Sequence, residues 1–263
     1  MMTTARTGGV VDASTRDARL LVPLARRSGP LDSLLIHPAG GGISQYLGVA
    51  GRLARHGSVH AVRADGLLAG ERPDDSIPEM VRRYLGLARG LTHRPKLLVG
   101  WSLGGVLAWE LATRLAVDGP APAVVLIDSF AERQTAEDSV GEDLLAAVER
   151  SLGDPGEPGA PREPDTDADR ARATALAHLT ACTDYAVTAR HTGPALLMSC
   201  ASPRRAEQVD DWRRLADWLT VRELPCGHFD VFQPAHQPHL LGHLDEFLAR
   251  LTPSTAVPQE NAR

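Results

Sequence analysis

The sequence predicts an α/β fold: a mostly parallel central sheet flanked by helices, with a helical lid inserted after the strand that ends at Asp128. Three observations carry this reading. Short apolar runs alternate with helix-period segments through the first half of the chain, as βαβ units do. One junction, Leu97-Leu98-Val99-Gly100-Trp101-Ser102-Leu103-Gly104-Gly105, runs an apolar strand into G-x-S-x-G and directly into the helix pattern Val106, Leu107, Trp109, Leu111. The alternation then stops between Ser129 and about Thr192, and afterwards resumes.

Residues 1–19 form a polar leader, and Leu20 to Leu24 reads as a short edge strand. Ser33 to His37 is the next strand, followed by Pro38-Ala39-Gly40-Gly41-Gly42 and a helix pattern from Ser44 to about His56. Val59 to Arg63 is a strand. Ser76-x-x-Glu79 has the form of a capping box and opens a helix with apolar Ile77, Met80, Val81, Tyr84, Leu85 and Leu87. Strand Lys96–Val99 leads to the G-x-S-x-G helix, and strand Ala123–Ile127 leads to Asp128. Parallel strands joined in this way need right-handed crossovers.

The interruption spans about 131–192. Within it Glu142–Leu152 and Arg170–Arg190 are patterned as helices, the second with Leu176, Leu179, Thr183 and Val187 along one face. Between them a Gly/Pro-rich stretch and an acidic run, 153–169, cannot bury a core and read as a mobile loop. Two helices joined by such a loop read as a lid over a site. The sheet resumes with Pro194–Cys200, a helix over Glu207–Trp218, strand Thr220–Leu224, then Gly227-His228 and a helix from about Gln237 to Arg250. One domain therefore covers 20–252, and the polar tail 253–263 reads as disordered.

Composition narrows the function. The 263 residues are 43% hydrophobic and 23% charged, with a formal net charge of -5. No basic tract stands out and aromatics are only 4%, so neither a nucleic-acid surface nor a base-stacking platform is present. No apolar run reaches the roughly 18 residues of a membrane span, and the leader lacks the apolar core of a secretory signal. Cys182, Cys200 and Cys226 are widely spaced without C-x-x-C, which reads as reduced thiols of a cytoplasmic protein. No metal-ligand spacing is visible, and Gly40-Gly41-Gly42 lacks the spacing of a nucleotide-binding loop.

The junction at Ser102 is the chemically informative feature. A tight strand–turn–helix holds a serine in a strained conformation and projects its hydroxyl from the top of the sheet, provided small residues flank it. A serine hydroxyl needs an adjacent base, itself held by a third group. In this architecture acid and then histidine follow the serine in the chain. His228 fits as base, in the loop after the last strand; His178 and His191 lie in or beside the insertion, and His236, His239 and His243 belong to the last helix or its start. Asp128 fits as acid, at the end of the strand beside the elbow; Asp65, Asp184 and Asp230 fit less well. The oxyanion donors are expected to be the backbone N–H groups of Leu103 and Ala39, with Gly40 next.

With these residues placed, the chain resembles the α/β-hydrolase thioesterases of polyketide synthase and nonribosomal peptide synthetase assembly lines. The matching segments are His37-Pro38-Ala39-Gly40-Gly41, Tyr46, Val59 to Leu67, Gly100-Trp101-Ser102-Leu103-Gly104-Gly105, Val125-Leu126-Ile127-Asp128-Ser129 and Gly227-His228-Phe229. The resemblance implies a serine thioesterase that takes an acyl chain from a carrier protein's phosphopantetheine onto Ser102 and releases it by hydrolysis or macrocyclisation. It implies an acyl or peptidyl carrier protein as partner and no cofactor of its own. Trp101, Gly40, Leu176 and Tyr185 become candidate substrate contacts, with Trp101 equally readable as core. Arg204 and Arg205, or Arg213 and Arg214, are candidate carrier contacts or simply solvated charge. Free-standing editing thioesterases place the acid after the next strand, and here Met198-Ser199-Cys200-Ala201-Ser202-Pro203 contains no carboxylate. Asp128 before the lid therefore resembles the chain-terminating release domains, acting in trans or as part of a larger protein. An editing thioesterase, a carboxylesterase on small esters and a non-catalytic carrier-binding protein are the alternatives.

Overall fold

A computed structural model describes residues 17–133 and 166–251, together with 143, 145 and 146. Among the described residues a seven-stranded sheet is built from β1 (Leu21–Ala25), β2 (Ser33–Ile36), β3 (Val59–Val62), β4 (Leu97–Trp101), β5 (Ala123–Ile127), β6 (His191–Ser199) and β7 (Ala216–Glu223). Its order is β1-β3-β2-β4-β5-β6-β7. Only β1 runs antiparallel, against β3; the other neighbours are parallel. The helices are α1 (Leu47–Leu53), α2 (Ile77–Arg89), α3 (Leu103–Leu115), α4 (Asp167–Thr183), α5 (Arg205–Leu215) and α6 (Gln237–Leu251).

The strands read as continuous apolar runs because both faces are covered. Leu34, Ile36, Leu98, Val124, Leu126 and Leu197 face α2, α3 and α5, while Leu35, Leu97, Val99, Val125, Ile127 and Leu196 face α1 and α6. Helix α2 presents Ile77, Met80, Val81, Tyr84 and Ala88 to the first of these cores, the i, i+3, i+4 stripe of a half-buried helix. Helix α3 is buried along most of its length, with Trp109 completely enclosed between the sheet and Trp212 of α5.

Strand order reverses direction between β2 and β4. In open parallel sheets the crevice beyond the strand ends at such a point is where ligands bind, because the two following loops diverge there. Here those loops are Pro38–Gly42 and the Ser102 turn. They are pressed together: a Cβ on Gly104 would lie 2.4 Å from the Ile36 carbonyl oxygen, and one on Gly100 would lie 2.0 Å from the Gly104 backbone. The predicted need for small residues on both sides of Ser102 is thus a matter of backbone contact.

Several element boundaries differ from the sequence expectation. Ser76 is the N-cap of α2 but its side chain makes no cap hydrogen bond, and Glu79 pairs with Arg82 instead. The expected helix from Ser44 is a 3-10 turn over Ser44–Tyr46 followed by the short α1. Of the expected loop 153–169, residues 153–165 lie outside the described residues, and Thr166 caps α4 through a reciprocal box with Asp169, so 167–169 are helical. Helix α4 stops at Thr183, and β6 already begins at His191. Its buried face carries Thr174, Ala175, His178, Ala181 and Cys182, not the expected stripe through Leu176 and Leu179, because small side chains seat it against the loops that carry Gly41 and Gly66. Trp218, expected in a helix, lies in β7 and is 71% exposed. The expected helix Glu142–Leu152 falls almost wholly outside the described residues, as do the leader and the tail.

These contacts predict opposite outcomes for two glycines. Gly100→Ala should cost more than about 4 kcal/mol or abolish folding, since backbone meets backbone. Gly51→Ala, mid-helix in α1 with nothing within 4 Å of the added methyl, should stabilise by about 0.5–1 kcal/mol. Urea unfolding of the two variants checks both.

Candidate active site

Ser102 occupies the turn between β4 and α3 with φ 55 and ψ -126, a conformation that side chains rarely adopt. Its N–H donates to the Ile127 carbonyl at 3.0 Å, tying the turn to the end of β5. Asp128, the residue directly after Ile127, also has positive φ, at 41°, and its N–H donates to the Met198 carbonyl at 2.7 Å. Two strained residues therefore stand side by side at the ends of adjacent parallel strands.

Asp128 is 3% exposed, and its carboxylate is fully engaged. His228 Nδ1 lies 2.7 Å from Oδ2; the Cys200 N–H and Gln208 Nε2 donate to Oδ1 at 3.0 and 3.1 Å. Burial would raise the carboxyl pKa, but the His228 bond and charge, with the Cys200 and Gln208 donors, outweigh it and hold it below the ordinary aspartate value. The ionised carboxylate accepts the Nδ1 proton of His228, which leaves Nε2 as the unprotonated nitrogen of the neutral ring. The His228 ring packs at 5.0 Å from that of Trp101, the residue before Ser102. Trp101 also contacts Phe229 and Phe232, so its ring backs the histidine loop.

The other candidate acids are bonded elsewhere or exposed. Asp65 pairs with Arg83 at 2.8 Å, Asp230 accepts from Gln233 at 2.6 Å, and Asp184 is exposed at the end of α4. His191 bonds the Pro122 carbonyl and His243 the Glu223 carbonyl. Gln208 was not singled out by the sequence. It bridges Asp128, Ser129 and Ser199, and with Trp212 Nε1 on the Ser129 carbonyl it locks the loop after β5. Its signal is distributed over partners up to 80 residues away.

Beside Ser102 lies a narrow cleft walled by Ile77, Leu103, Val106, Phe130, Cys182 and Tyr185, with half-exposed Glu132. Tyr185 lines this cleft. Leu176 does not: it is 44% exposed and points away, because the buried face of α4 is rotated from the expected one. Cys182 is buried and its thiol is pushed up to about 12 by desolvation, so it is an apolar wall. All three cysteines are unbridged. Arg204 lies over the Phe130 ring and pairs with Glu207; Arg205, Arg213 and Arg214 are in ion pairs with Glu223, Asp210 and Asp211.

Opposite Ser102, Pro38–Gly41 forms a tight turn closed by Gly41 N–H to the Pro38 carbonyl at 2.9 Å. Gly40 sits at its third position with φ 88, as a type II turn requires. The Gly40 N–H is taken by His178 Nδ1 at 3.2 Å, whereas Ala39 precedes it in the turn. His37 Nδ1 bonds the Pro38 carbonyl, and its Nε2 lies 2.7 Å from the Tyr84 hydroxyl. Among the described residues no cluster of three His, Cys, Asp or Glu is arranged to hold a metal, and no helix is long and apolar enough to cross a membrane.

A mostly parallel sheet, a strained serine after its central strand, and an aspartate–histidine pair from two later loops define an α/β-hydrolase. Within that class the chain belongs to the thioesterase-domain family, whose model matches residues 34–248. Among solved structures it is similar to a Vlm2 thioesterase domain bound with a dodecadepsipeptide, at TM-score 0.68 and 24% identity, covering 87% of this chain and 98% of that one. It is also similar to the NocB thioesterase domain from the Nocardicin cluster, at TM-score 0.66 and 21% identity over 84% of this chain and 95% of that one. By sequence, 86 residues are 41% identical to the nonribosomal peptide synthetase btyA of Aspergillus terreus, which is 32% of this chain and 9% of that protein. Another 30% identity over 109 residues relates it to atromentin synthetase invA2 of Paxillus involutus, 41% of this chain and 11% of that protein. The matched segments thus span about a tenth of those relatives.

Burial of His37 sets a pH dependence. Desolvation lowers its pKa from 6.5 to about 4, only partly opposed by the Pro38 carbonyl. Between those values the unfolded chain binds a proton that the folded chain refuses, so stability falls as pH drops from about 6.5 towards 4. At pH 5 His37 alone should cost about 2 kcal/mol relative to pH 7.5. His178 and His191, also lowered chiefly by burial, act in the same direction. Urea unfolding at the two pH values should show the loss; equal stabilities would contradict it.

Proposed function

We propose that this chain is a serine thioesterase of a nonribosomal-peptide or polyketide type assembly line. It takes an acyl chain from a carrier-protein phosphopantetheine thioester onto Ser102 and releases it to water or to a nucleophile within the chain. The observation that carries the reading is the 2.7 Å contact of His228 Nδ1 with a buried, fully bonded Asp128, beside a serine held in an elbow conformation. Membership of the thioesterase-domain family and the similarity to the synthetase btyA and the Vlm2 thioesterase domain support the substrate class.

In this reading His228 Nε2 takes the Ser102 proton as Oγ bonds the thioester carbon. Asp128 holds the ring and stabilises the imidazolium. The N–H groups of Leu103 and Ala39 receive the developing oxyanion. When the C–S bond breaks, His228 returns the proton to the departing thiol. The imidazole then deprotonates the second nucleophile, water or an internal amine or hydroxyl, and the ester to Ser102 is cleaved. The serine is regenerated by the same proton. The apolar walls of the cleft exclude water from the acyl group and strengthen each of these charges. The carrier partner, a cytoplasmic location and the absence of a resident cofactor follow from the same reading.

Intact-protein mass spectrometry with a fluorophosphonate tests the nucleophile. The wild type should gain one adduct and Ser102→Ala none; an undiminished adduct on the variant would remove Ser102 from the role. Asp128→Asn should leave the fold intact and lower turnover of a carrier-loaded thioester by about 10⁴-fold, by analogy with the loss of correct histidine tautomer in other serine enzymes. Product masses from the same assay separate linear acid from ring. Faster turnover of simple p-nitrophenyl esters than of the carrier-bound thioester would favour a carboxylesterase.

A further inference from the structure

Helix α4 reaches the turn that supplies the second oxyanion donor, and it does so through one side chain. His178 is completely buried, stacks on His37 with ring centroids 5.1 Å apart and planes 17° apart, and accepts the Gly40 N–H. The contact joins residues 138 apart in sequence. Because Nδ1 is the acceptor, the proton of the neutral ring is on Nε2, and that nitrogen is buried without a hydrogen-bond partner among the described residues. An unmet buried donor is costly. A leucine would fill comparable space without that cost, so packing alone does not account for an imidazole here. What the imidazole adds is an acceptor aimed at Gly40.

The two histidines grip the turn from both ends. His37 Nδ1 donates to the Pro38 carbonyl, and His178 Nδ1 accepts from Gly40. Thr174, one helical turn before His178, stands against Gly41 and Gly66, where a Cβ on either glycine would meet it at 3.3 or 2.7 Å. The Gly40 N–H is thereby committed and unavailable to an oxyanion, which leaves Ala39 as the donor of this loop.

We propose that His178 is a positioning residue: by holding the Gly40 N–H it fixes the Pro38–Gly42 turn with Ala39 presented to the acyl oxygen, so that acyl transfer requires α4 to be seated. This rests on the reading of Ser102 as acyl acceptor given above. The lid helix is then part of the catalytic geometry and not only a cover.

The test compares His178→Ala, His178→Leu and His178→Asn with wild type and with Thr180→Ala, an exposed position on the same helix. An acyl N-acetylcysteamine thioester serves as substrate and a fluorophosphonate as label, with circular dichroism to confirm folding. His178→Ala and His178→Leu should lower kcat by about 10- to 100-fold with KM within twofold, and slow fluorophosphonate labelling in parallel, since the phosphonyl oxygen uses the same donors. Asn places an amide oxygen where Nδ1 was, and should recover activity to within a few-fold of wild type. Thr180→Ala should match wild type. If His178→Leu folds and turns over like wild type, or if Asn fails to restore what Leu loses, the positioning role is overturned. Failure of wild type to label at Ser102 would instead overturn the functional reading itself, so the two failures are distinguishable.

Discussion

Everything at this site depends on burying one carboxylate. Asp128 sits at the end of β5 where little water reaches it, and a carboxylate there is tolerable only if each oxygen finds donors. It finds them on three different elements: the His228 loop after β7, the backbone at the end of β6, and Gln208 of α5. Each of these therefore has its position dictated by the same two oxygens. Remove the histidine bond and the charge loses the partner that offsets its desolvation; remove the whole side chain and three elements lose their common anchor.

The strain at Ser102 and Asp128 is supported by the same sheet. Positive φ at a residue other than glycine costs on the order of 1–3 kcal/mol and persists only where the surroundings over-determine it. At Ser102 the surroundings are the Ile127 carbonyl on one side and the backbone of β2 on the other, brought close by Gly104. At Asp128 they are the Met198 carbonyl and the three side-chain bonds. The enclosed packing of α3, with Trp109 against Trp212, supplies the apolar burial that offsets this local cost.

What could be read from the sequence was what is local. The elbow is nine consecutive residues whose strand, turn and helix signals agree, and the strand ending at Asp128 and the Gly227-His228 turn follow in chain order. Gln208 and His178 could not be read in this way. Their partners lie 80 and 138 residues distant, and nothing in the helix around either residue marks it as facing a loop. The apolar pattern gives α4 the wrong phase because leucine outweighs alanine and threonine in any such pattern, yet close approach to the glycines of the Pro38–Gly42 loop demands the small side chains. The start of β7 is hidden in the sequence for a related reason. At a sheet edge the strand alternates only weakly, and an exposed tryptophan there resembles the buried face of a helix.

Helix α4 joins two tasks that a sequence presents separately. Cys182, one turn beyond His178, is a wall of the cleft beside Ser102, and Tyr185 follows just past the helix end. The helix rises about 1.5 Å per residue, so any shift along its axis large enough to widen the cleft at Cys182 moves His178 by the same amount. A hydrogen bond at 3.2 Å does not survive a displacement of that size. In the proposed mechanism, then, the room available to the acyl group and the firmness of the oxyanion loop are not independent variables. In that mechanism an acyl chain that forced the helix outward would lose the geometry that transfers it, and α4 would select substrates through catalysis as well as through binding.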